Sequence, residues 1–305
     1  MSALLRSRSL QRCVAGIVIG RERVAVAHLR GNGSTGWTAS SLAERTLGTL
    51  LFCAHTTPET ESELAAALGA LAGELRTRHA PAHVVLPDPV FRSAVLELEQ
   101  LPKSRELQAQ LVEFRLRRSV ARPVELCCDS QPLGRIGERH VLLAMAIERS
   151  WRDLVSAALA HAGIVAWTVT SAATQPFNLF HDSLARESGA LVSLAGDSWA
   201  LWLWGRDGIV RHVRSHWRQT GDDLVLIAGE VSRAIVAYVD ADPGNAIASL
   251  SVFGGSEAQE LAAILDQRSS QPCTRLSAEA FLANADALPA RSEAMSYALA
   301  AAMST

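Results

Sequence analysis

The sequence predicts an α/β fold in which one arrangement of strands and helices occurs twice. Residues 15–27 read as an apolar strand, a glycine turn and a second strand with alternating apolar positions. A comparable order of β-hairpin, helix, strand and helix begins again at residue 189. No tandem period of about 20–50 residues is present, so the pattern predicts a duplicated domain and not a solenoid. The length of 305 residues is sufficient for two domains.

In the first half, the strands and helices are predicted in alternation. Strands are expected at residues 16–42 with a turn at 31–33, and at 50–54, 83–88, 91–98, 126–133, 140–147 and 164–170. A helix is predicted where polar residues 58–63 precede leucines at helical spacing: Leu64, Leu68, Leu71 and Leu75. Further helices are expected at 106–120, at 149–162 with Gly163 closing it, and at 171–183.

The second half repeats these signals. Strands are predicted at 189–194, 199–204, 209–214 and 248–253, and helices at 222–240 and 256–266. Asp222 and Asp223 are expected to cap the first of these helices. The predicted strand 199–204 carries three tryptophans, which are either core residues or an exposed partner-binding patch: Trp199, Trp202 and Trp204.

Composition excludes several functional classes. With 49% hydrophobic and 20% charged residues the chain is globular, and a net charge of −2 predicts no nucleic-acid partner. The longest apolar stretches are shorter than the roughly 18–20 residues of a transmembrane helix, and residues 1–12 lack the apolar core of a secretory signal. Five cysteines without paired spacing predict neither disulfides nor zinc. A cytoplasmic location is expected.

The polar residues form no catalytic or metal-ligating group. The histidines are scattered, and Cys127 and Cys128 are adjacent in a predicted strand, so their side chains point to opposite faces. Lys103 is the only lysine, which excludes mechanisms that need a lysine elsewhere. Neither a catalytic residue nor a metal ligand is predicted.

Segments along nearly the whole chain resemble, in order, the PilM family of type IV pilus assembly and, more distantly, the cytoplasmic part of the type II secretion L protein. They are Gly16-Ile17-Val18-Ile19-Gly20; Val84-Val85-Leu86-Pro87-Asp88 with Leu98-Glu99-Gln100-Leu101-Pro102 and Arg122-Pro123-Val124-Glu125; Ala158-Leu159-Ala160-His161-Ala162-Gly163-Ile164; Glu230-Val231-Ser232-Arg233-Ala234-Ile235-Val236-Ala237-Tyr238 with Ser251-Val252-Phe253-Gly254-Gly255-Ser256; and the small-residue helix 294–303.

The resemblance implies an actin-like, RNase H-like fold with a cleft between two domains. The first domain is expected at residues 1–187, with a small inserted subdomain at about 86–125, and the second at 188–305. It also implies a scaffold that is peripheral on the inner membrane through its partners. Those partners are the cytoplasmic tail of a PilN-like bitopic membrane protein and the assembly ATPase.

The two phosphate-binding strands of this fold lack their acids here. Family members have Asp, Gly and Ser where this chain has Val18, Gly20 and Arg21, and Ser193 stands at the Asp position of the second strand. A valine cannot hold magnesium and its waters against the phosphates. The sequence therefore predicts a pseudo-ATPase without hydrolysis and without a cofactor. The alternative is an ATP-binding member of the actin-like superfamily, which the glycine pair at 254–255 favours.

The sequence proposes two sets of site residues. A degenerate nucleotide site would contain Gly16, Gly20, Arg21, Gly196, Gly254, Gly255 and Ser256. The alternative is that Gly20 forms a hairpin, that Arg21 is a solvated side chain, and that Gly254-Gly255 marks a strand-to-helix turn, with no ligand at any of them. A partner groove between the first domain and the inserted subdomain, lined by strand 90–98 and helix 106–120, would contain Val90, Phe91, Val95, Leu111 and Phe114. The arginines of that helix either bind acidic partners or anionic lipids, or form a plain solvated face: Arg115, Arg117 and Arg118.

Overall fold

The structure is a computed structural model. It describes residues 13–31, 36–53, 57–75, 81–118, 124–218, 223–241, 244, 246–285 and 292–303. In chain order the strands are β1 Cys13–Ile19, β2 Arg23–Gly31, β3 Trp37–Thr46, β4 Ala82–Leu86, β5 Phe91–Leu98, β6 Leu126–Ile136, β7 Arg139–Glu148, β8 Ala166–Ser171, β9 Gly189–Leu194, β10 Ser198–Trp204, β11 Val210–Trp217, β12 Ser249–Gly254 and β13 Cys273–Leu276. The helices are α1 Pro58–Leu75, α2 Arg105–Arg117, α3 Arg149–His161, α4 Thr174–Leu179, α5 His181–Leu184, α6 Leu224–Ala241, α7 Glu257–Arg268 and α8 Glu293–Met303.

Two five-stranded sheets share one topology. The strand order is β3-β2-β1-β4-β8 in the first sheet and β11-β10-β9-β12-β13 in the second. In each sheet the first strand pairs antiparallel with the second, and parallel with a strand that follows a helix: β4 after α1, and β12 after α6. Such mixed sheets, with helices connecting the parallel strands, confirm the predicted α/β class and the duplication.

A smaller third sheet has the order β5-β7-β6. Helix α2 covers one face of it and buries Val112 and Leu116 there. The Ser104 hydroxyl caps this helix by accepting a hydrogen bond from the Leu107 amide at 3.1 Å. The sheet runs to Glu148, past the limit of 125 expected for the inserted subdomain. Strand signals in β6 and β7 do not tell which sheet they join, because pairing is decided by tertiary contacts.

Helices pack on the main sheets and join them. Helices α1 and α3 bury one face of the first sheet, and α6 and α7 bury one face of the second. Helix α8 packs on β1 and β2 within a core that contains residues of both sheets, such as Val18 and Leu191. Gly16 permits this approach, because a Cβ atom there would lie 1.8 Å from the carbonyl oxygen of Ala298 in α8.

Three elements differ from the sequence prediction. Residues 50–53 form turns and bends instead of a strand, with Phe52 at a φ of 57° and its ring 5.8 Å from that of Trp151. Leu51 and Phe52 are apolar and buried although they lie in a turn, whereas Leu50 is exposed. The helix expected at 171–183 is divided into α4 and α5 at Phe180. Strand β13 is not among the predicted strands, because a short edge strand needs little apolar alternation.

The tryptophans of β10 are core residues, since their exposed fractions are 2%, 4% and 0% for Trp199, Trp202 and Trp204. The alternative of an exposed tryptophan patch is wrong. Asp223 accepts a hydrogen bond from the Val225 amide at 3.1 Å at the start of α6, as predicted. Within the described ranges, no helix combines the length and the apolar character needed to cross a membrane. Several predictions fall outside the described residues: segment 1–12, Asn32, Gly33, Ala54, Val120, Arg122, Pro123 and Asp222.

Candidate functional site

A cavity of about 490 Å³ lies between the two main sheets. Both glycine turns reach it, the first through Gly20 and the second through Gly196 and Asp197. Ser256, at the start of α7, and Tyr297, on α8, also line it. This is the position at which the predicted cleft would hold a nucleotide.

The protein itself occupies the amides of the first turn. The Gly20 amide donates to the Arg23 carbonyl oxygen at 2.9 Å. The Arg21 amide donates to the Asp197 Oδ2 at 2.9 Å, across a sequence separation of 176 residues. A phosphate would need these amides as donors. The carboxylate of the second turn therefore takes the place that an anion would have at the first turn.

The Arg21 side chain is also engaged. Its guanidinium lies 5.0 Å from the centre of the Trp217 ring, which is a cation–π distance. One of its Nη atoms donates to the Cys53 Sγ at 3.4 Å. Burial raises the pKa of the Asp197 carboxyl, while the hydrogen bond from the Arg21 amide and the charge of its guanidinium lower it. Arg21 thus binds the Asp197 carboxylate of its own chain through its amide and through the charge of its guanidinium.

On β9, a neutral hydrogen-bonded chain occupies the position where the family resemblance implies an acid. Ser193 is completely buried, and its hydroxyl lies 2.6 Å from the Tyr297 hydroxyl. The Tyr297 hydroxyl donates to the Phe253 carbonyl oxygen at 3.3 Å. Next to it, Arg218 donates to the Gly196 carbonyl oxygen at 2.8 Å and forms an ion pair with Glu257 at 2.6 Å. The residues present do not fit a magnesium–phosphate site.

Only some of the residues predicted to bind a nucleotide line the central cavity. Gly20, Gly196 and Ser256 line the cavity, whereas Gly16 and Gly254 serve packing. A Cβ atom on Gly254 would lie 2.6 Å from the Leu194 carbonyl oxygen of the neighbouring strand. The Gly255 carbonyl oxygen accepts from the Ala258 amide at 3.3 Å, in the first turn of α7.

The charge of the cavity lining also opposes a triphosphate. Among the described residues, the charged side chains that line it are Glu22, Arg23, Asp197 and Glu257. The cation of this set, Arg23, already forms an ion pair with Glu44 at 2.8 Å. In the described part of the chain, no three His, Cys, Asp or Glu side chains form a group that could hold a metal ion. Carboxylates beside phosphates repel them.

Asp197→Ala is expected to lower the free energy of unfolding by about 1–3 kcal/mol, because it leaves the Arg21 amide without its acceptor. Urea denaturation of the purified variant measures this. Asp153→Ala is the matched control, since Asp153 is exposed and pairs with the adjacent Arg152. A variant at 197 as stable as the control would contradict the assigned contact.

Asp88 is a buried carboxylate whose structural role the sequence does not predict. It lies just after β4, is 4% exposed, and both its carboxylate oxygens accept from the Ala173 amide at 3.1 Å. Burial raises the pKa of this carboxyl to about 6, against the lowering effect of its hydrogen bonds with Ala173 and Ser171. Asp88 holds the turn that leads from β8 into α4.

A groove of about 510 Å³ separates the third sheet from the edge of the first. Consecutive residues of two strands line it, Cys127 to Gln131 on β6 and Thr168 to Thr170 on β8, together with α4 residues such as Asn178. Among the described strands, β6 and β8 stand at the ends of their sheets. Edge strands present unpaired backbone donors and acceptors. The groove therefore has backbone hydrogen-bonding groups on two sides.

The inside of the groove is nearly uncharged. Alternate residues of β7 line it with apolar side chains, Leu143, Met145 and Ile147. Asp129 is the one acidic or basic side chain besides His83 among the described lining residues. Burial lowers the pKa of His83, which is therefore neutral at pH 7; its Nδ1 lies 2.8 Å from the Thr168 hydroxyl.

The two cysteines of β6 lie on opposite sides of their strand, as predicted. Cys127 packs against the core of the first sheet, and Cys128 packs against the α2 core. Desolvation raises the pKa of the Cys128 thiol to about 11, so the thiol is neutral at pH 7.

The predicted partner residues are not brought together. Of the five, only Phe91 is among the described residues that line the groove. Val90 is 2% exposed, Val95 packs against the core between the main sheets, and α2 places Leu111 and Phe114 outside the groove lining. The edge of β5 lies beside β11. Three apolar residues of the β8 region are exposed, and of these Val169 lines the groove: Val165, Trp167 and Val169.

Comparison with solved structures identifies the fold. A structure of a PilM–PilN type IV pilus biogenesis complex superimposes with a TM-score of 0.72 over 95% of this chain and 97% of the other, at 18% identity. The fold is an actin-like fold of the PilM type. A Bacteroides thetaiotaomicron protein of actin-like ATPase fold and unknown function gives a TM-score of 0.55 at 12% identity, covering 91% and 95% of the two chains.

A weaker similarity is found with the cytoplasmic domain of EpsL, from the type II secretion system of Vibrio cholerae. The TM-score is 0.46 at 13% identity, over 79% of this chain and 81% of the other. The sequence itself matches no protein-family profile and no curated protein. The fold predicted from the short motifs is confirmed by three-dimensional similarity.

Proposed function

We propose that this protein is a scaffold of a type IV pilus or related inner-membrane assembly platform, and that it captures the cytoplasmic tail of a PilN-like membrane protein. The observation that carries the proposal is the groove between β6 and β8, on a fold shared with PilM of a PilM–PilN complex. In this proposal the protein is cytoplasmic, reaches the membrane through its partner, and couples the partner to the assembly ATPase.

The groove suits an extended peptide. A chain laid between β6 and β8 can pair its backbone with one or both strand edges, which is recognition by strand addition. Alternate side chains of that peptide would then meet the apolar residues Leu143, Met145 and Ile147. The other side chains would meet hydroxyls and amides such as Thr170 and Asn178. An uncharged tail segment with alternating apolar residues fits this lining.

The proposal excludes ATP hydrolysis as the function of the central cavity. Val18 and Ser193 stand where the fold's metal-organising acids would be, and Asp197 already uses the Arg21 amide. Transition-state stabilisation for phosphoryl transfer depends on such positioned groups. The cavity thus has room for a ligand but lacks the groups for this reaction.

The expected result for the groove is micromolar binding of a synthetic PilN-like cytoplasmic tail, measured by calorimetry. Thr170→Arg should weaken binding at least about tenfold, because its long side chain would fill space that the peptide needs beside β8 and the bound peptide would bury its charge. Thr274→Arg is the matched control, since Thr274 is exposed on β13, the equivalent edge strand of the second sheet. No heat at about 1 mM peptide, or equal losses in both variants, would remove the proposal.

The alternative function, ATP binding in the central cavity, rests on the cavity volume of about 490 Å³. A ligand at a hundredfold its Kd stabilises a protein by about 2.7 kcal/mol. We expect the melting temperature to stay constant during titration with Mg-ATP. A concentration-dependent rise would favour the alternative, and a rise abolished by Gly196→Val would place the nucleotide in this cavity.

A further inference from the structure

Helix α2 has an exposed apolar stripe opposite its buried side. Leu107 and Phe114 are 56% and 57% exposed, and Leu111 is half-buried between them. These positions and Arg118 are spaced i, i+4, i+7 and i+11, so they share one side of the helix. We call Leu107, Leu111, Phe114 and Arg118 the α2 face. The buried residues Val112 and Leu116 lie on the other side and hold the helix to its sheet.

Cations lie on and beside the α2 face. Segment 103–118 contains five Lys or Arg and two Glu, in a protein whose net charge is −2. Arg115 is exposed and follows Phe114 by one residue, Lys103 is exposed just before the helix, and the Arg118 guanidinium lies 4.9 Å from the centre of the Phe114 ring. Aromatic and cationic groups are therefore in contact at the C-terminal end of the helix. Arg105 is about 200° from Leu107 around the helix axis and so lies on the side away from this face.

The two carboxylates of this segment do not cancel the positive charge at the face. Glu113 is paired with Arg117 at 2.6 Å, one turn further along the helix. Glu106 precedes Leu107 by one residue, which places it about 100° away around the helix axis, beside the face on the side opposite Arg115. Neither acid occupies a position of the α2 face.

We propose that the α2 face binds the surface of an anionic membrane directly. A short amphipathic helix with apolar residues on one side and cations beside them lies in the interface plane, with the apolar groups among the headgroups. Helix α2 has 13 residues, about 20 Å, and its inner side is fixed to the third sheet, so no folding on the membrane is needed. Charge complementarity with anionic lipid selects this occupant.

The contact is weak by itself and acts together with the tail groove. One interfacial helix with a few cations gives reversible membrane binding, comparable to a single anchoring signal. When a membrane protein's tail occupies the groove, the membrane is within reach and the second contact becomes intramolecular. The inference adds a lipid contact to the proposed function but does not depend on it, because it is tested without any tail.

The test is flotation of the purified full chain with phosphatidylcholine vesicles, with and without phosphatidylglycerol, at low and high salt. The protein should float only with phosphatidylglycerol, and salt should release it. Arg115→Gln with Arg118→Gln should weaken partitioning by about fivefold for each cation removed. Phe114→Ser should weaken it without changing the salt dependence. Arg233→Gln and Val236→Ser are matched controls on the exposed side of α6, where Val236 is 57% exposed.

Lys103 gives a readout at the proposed site in the unmodified protein, because it is the only lysine. Anionic vesicles should slow its reaction with an amine reagent, read by peptide mass mapping. Absence of flotation at low salt, equal flotation without phosphatidylglycerol, or losses equal to those of the controls would overturn the proposal. Binding to soluble polyglutamate without binding to vesicles would also overturn it and would indicate an acidic protein partner.

Discussion

Gly16→Val is expected to lower the free energy of unfolding by about 3 kcal/mol or more. Even a Cβ atom at this position would lie 1.8 Å from the Ala298 carbonyl oxygen and 2.8 Å from the Ala302 nitrogen. Both are backbone atoms of α8, so no side-chain rotation relieves the clash. Helix α8 must move off β1, which would expose a core shared by both main sheets. A loss of this size is a large part of the about 5–15 kcal/mol of a typical domain.

Urea denaturation of Gly16→Val and of a control glycine variant measures the effect. Gly73 lies in α1 and is exposed, and a methyl group added to it would have no neighbouring atom within 4 Å in the described part of the chain. Gly73→Ala should therefore raise stability by about 0.5–1 kcal/mol, the usual gain from glycine to alanine in a helix. If Gly16→Val retained wild-type stability, α8 would not pack on β1 as described.

The second large effect is a pH dependence of stability that comes from Asp88. The pKa of this buried carboxyl is raised to about 6 in the folded protein, compared with 3.8 for a solvent-exposed aspartate. The folded state therefore binds this proton more tightly than the unfolded state. Stability from this group increases as pH falls through 6 and levels off below 3.8. A pKa difference of about 2 units corresponds to about 3 kcal/mol.

The measurement is the stability difference between wild type and Asp88→Asn from about pH 8 to about pH 4. Wild type should gain about 2.4 kcal/mol relative to the variant over this range, and the rest of the about 3 kcal/mol below about pH 4. The comparison with the variant removes the effect of four histidines, which both proteins share. Burial lowers the pKa of these histidines, so their contribution to stability is lost as pH falls: His28, His83, His212 and His216. Parallel stability curves for the two proteins would show that Asp88 does not bind a proton in this range.

Much of the fold could be predicted because its signals are local. Strand β1 with its glycine turn, the leucine spacing of α1 and the strands β9 and β10 all lie close to their predicted positions. The errors occur where tertiary contacts override local pattern. Phe52 lies in a turn, where its ring packs against that of Trp151. The sequence alone does not distinguish an apolar residue buried in a turn from one buried in a strand.

The candidate sites depend more on tertiary structure. The absence of acids at Val18 and Ser193 is visible in the sequence, but the use of the Arg21 amide by Asp197 is not, since 176 residues separate the two. The sequence prediction places the partner residues on strand 90–98 and helix 106–120, and their binding of a partner stays a prediction. In the structure β5 lies beside β11, and the edges at the groove belong to β6 and β8.

The sequence by itself determined the duplicated α/β architecture and the identity of Val18 and Ser193 at the positions where the family resemblance implies acids, because strand periodicity, glycine turns and residue identity are local properties. Only the tertiary structure decided which strand edges stay open, which carboxylate closes the first turn, and which glycine faces α8. Those features arise from contacts between residues far apart in the chain, and sheet order and helix docking, not local preference, bring such residues together.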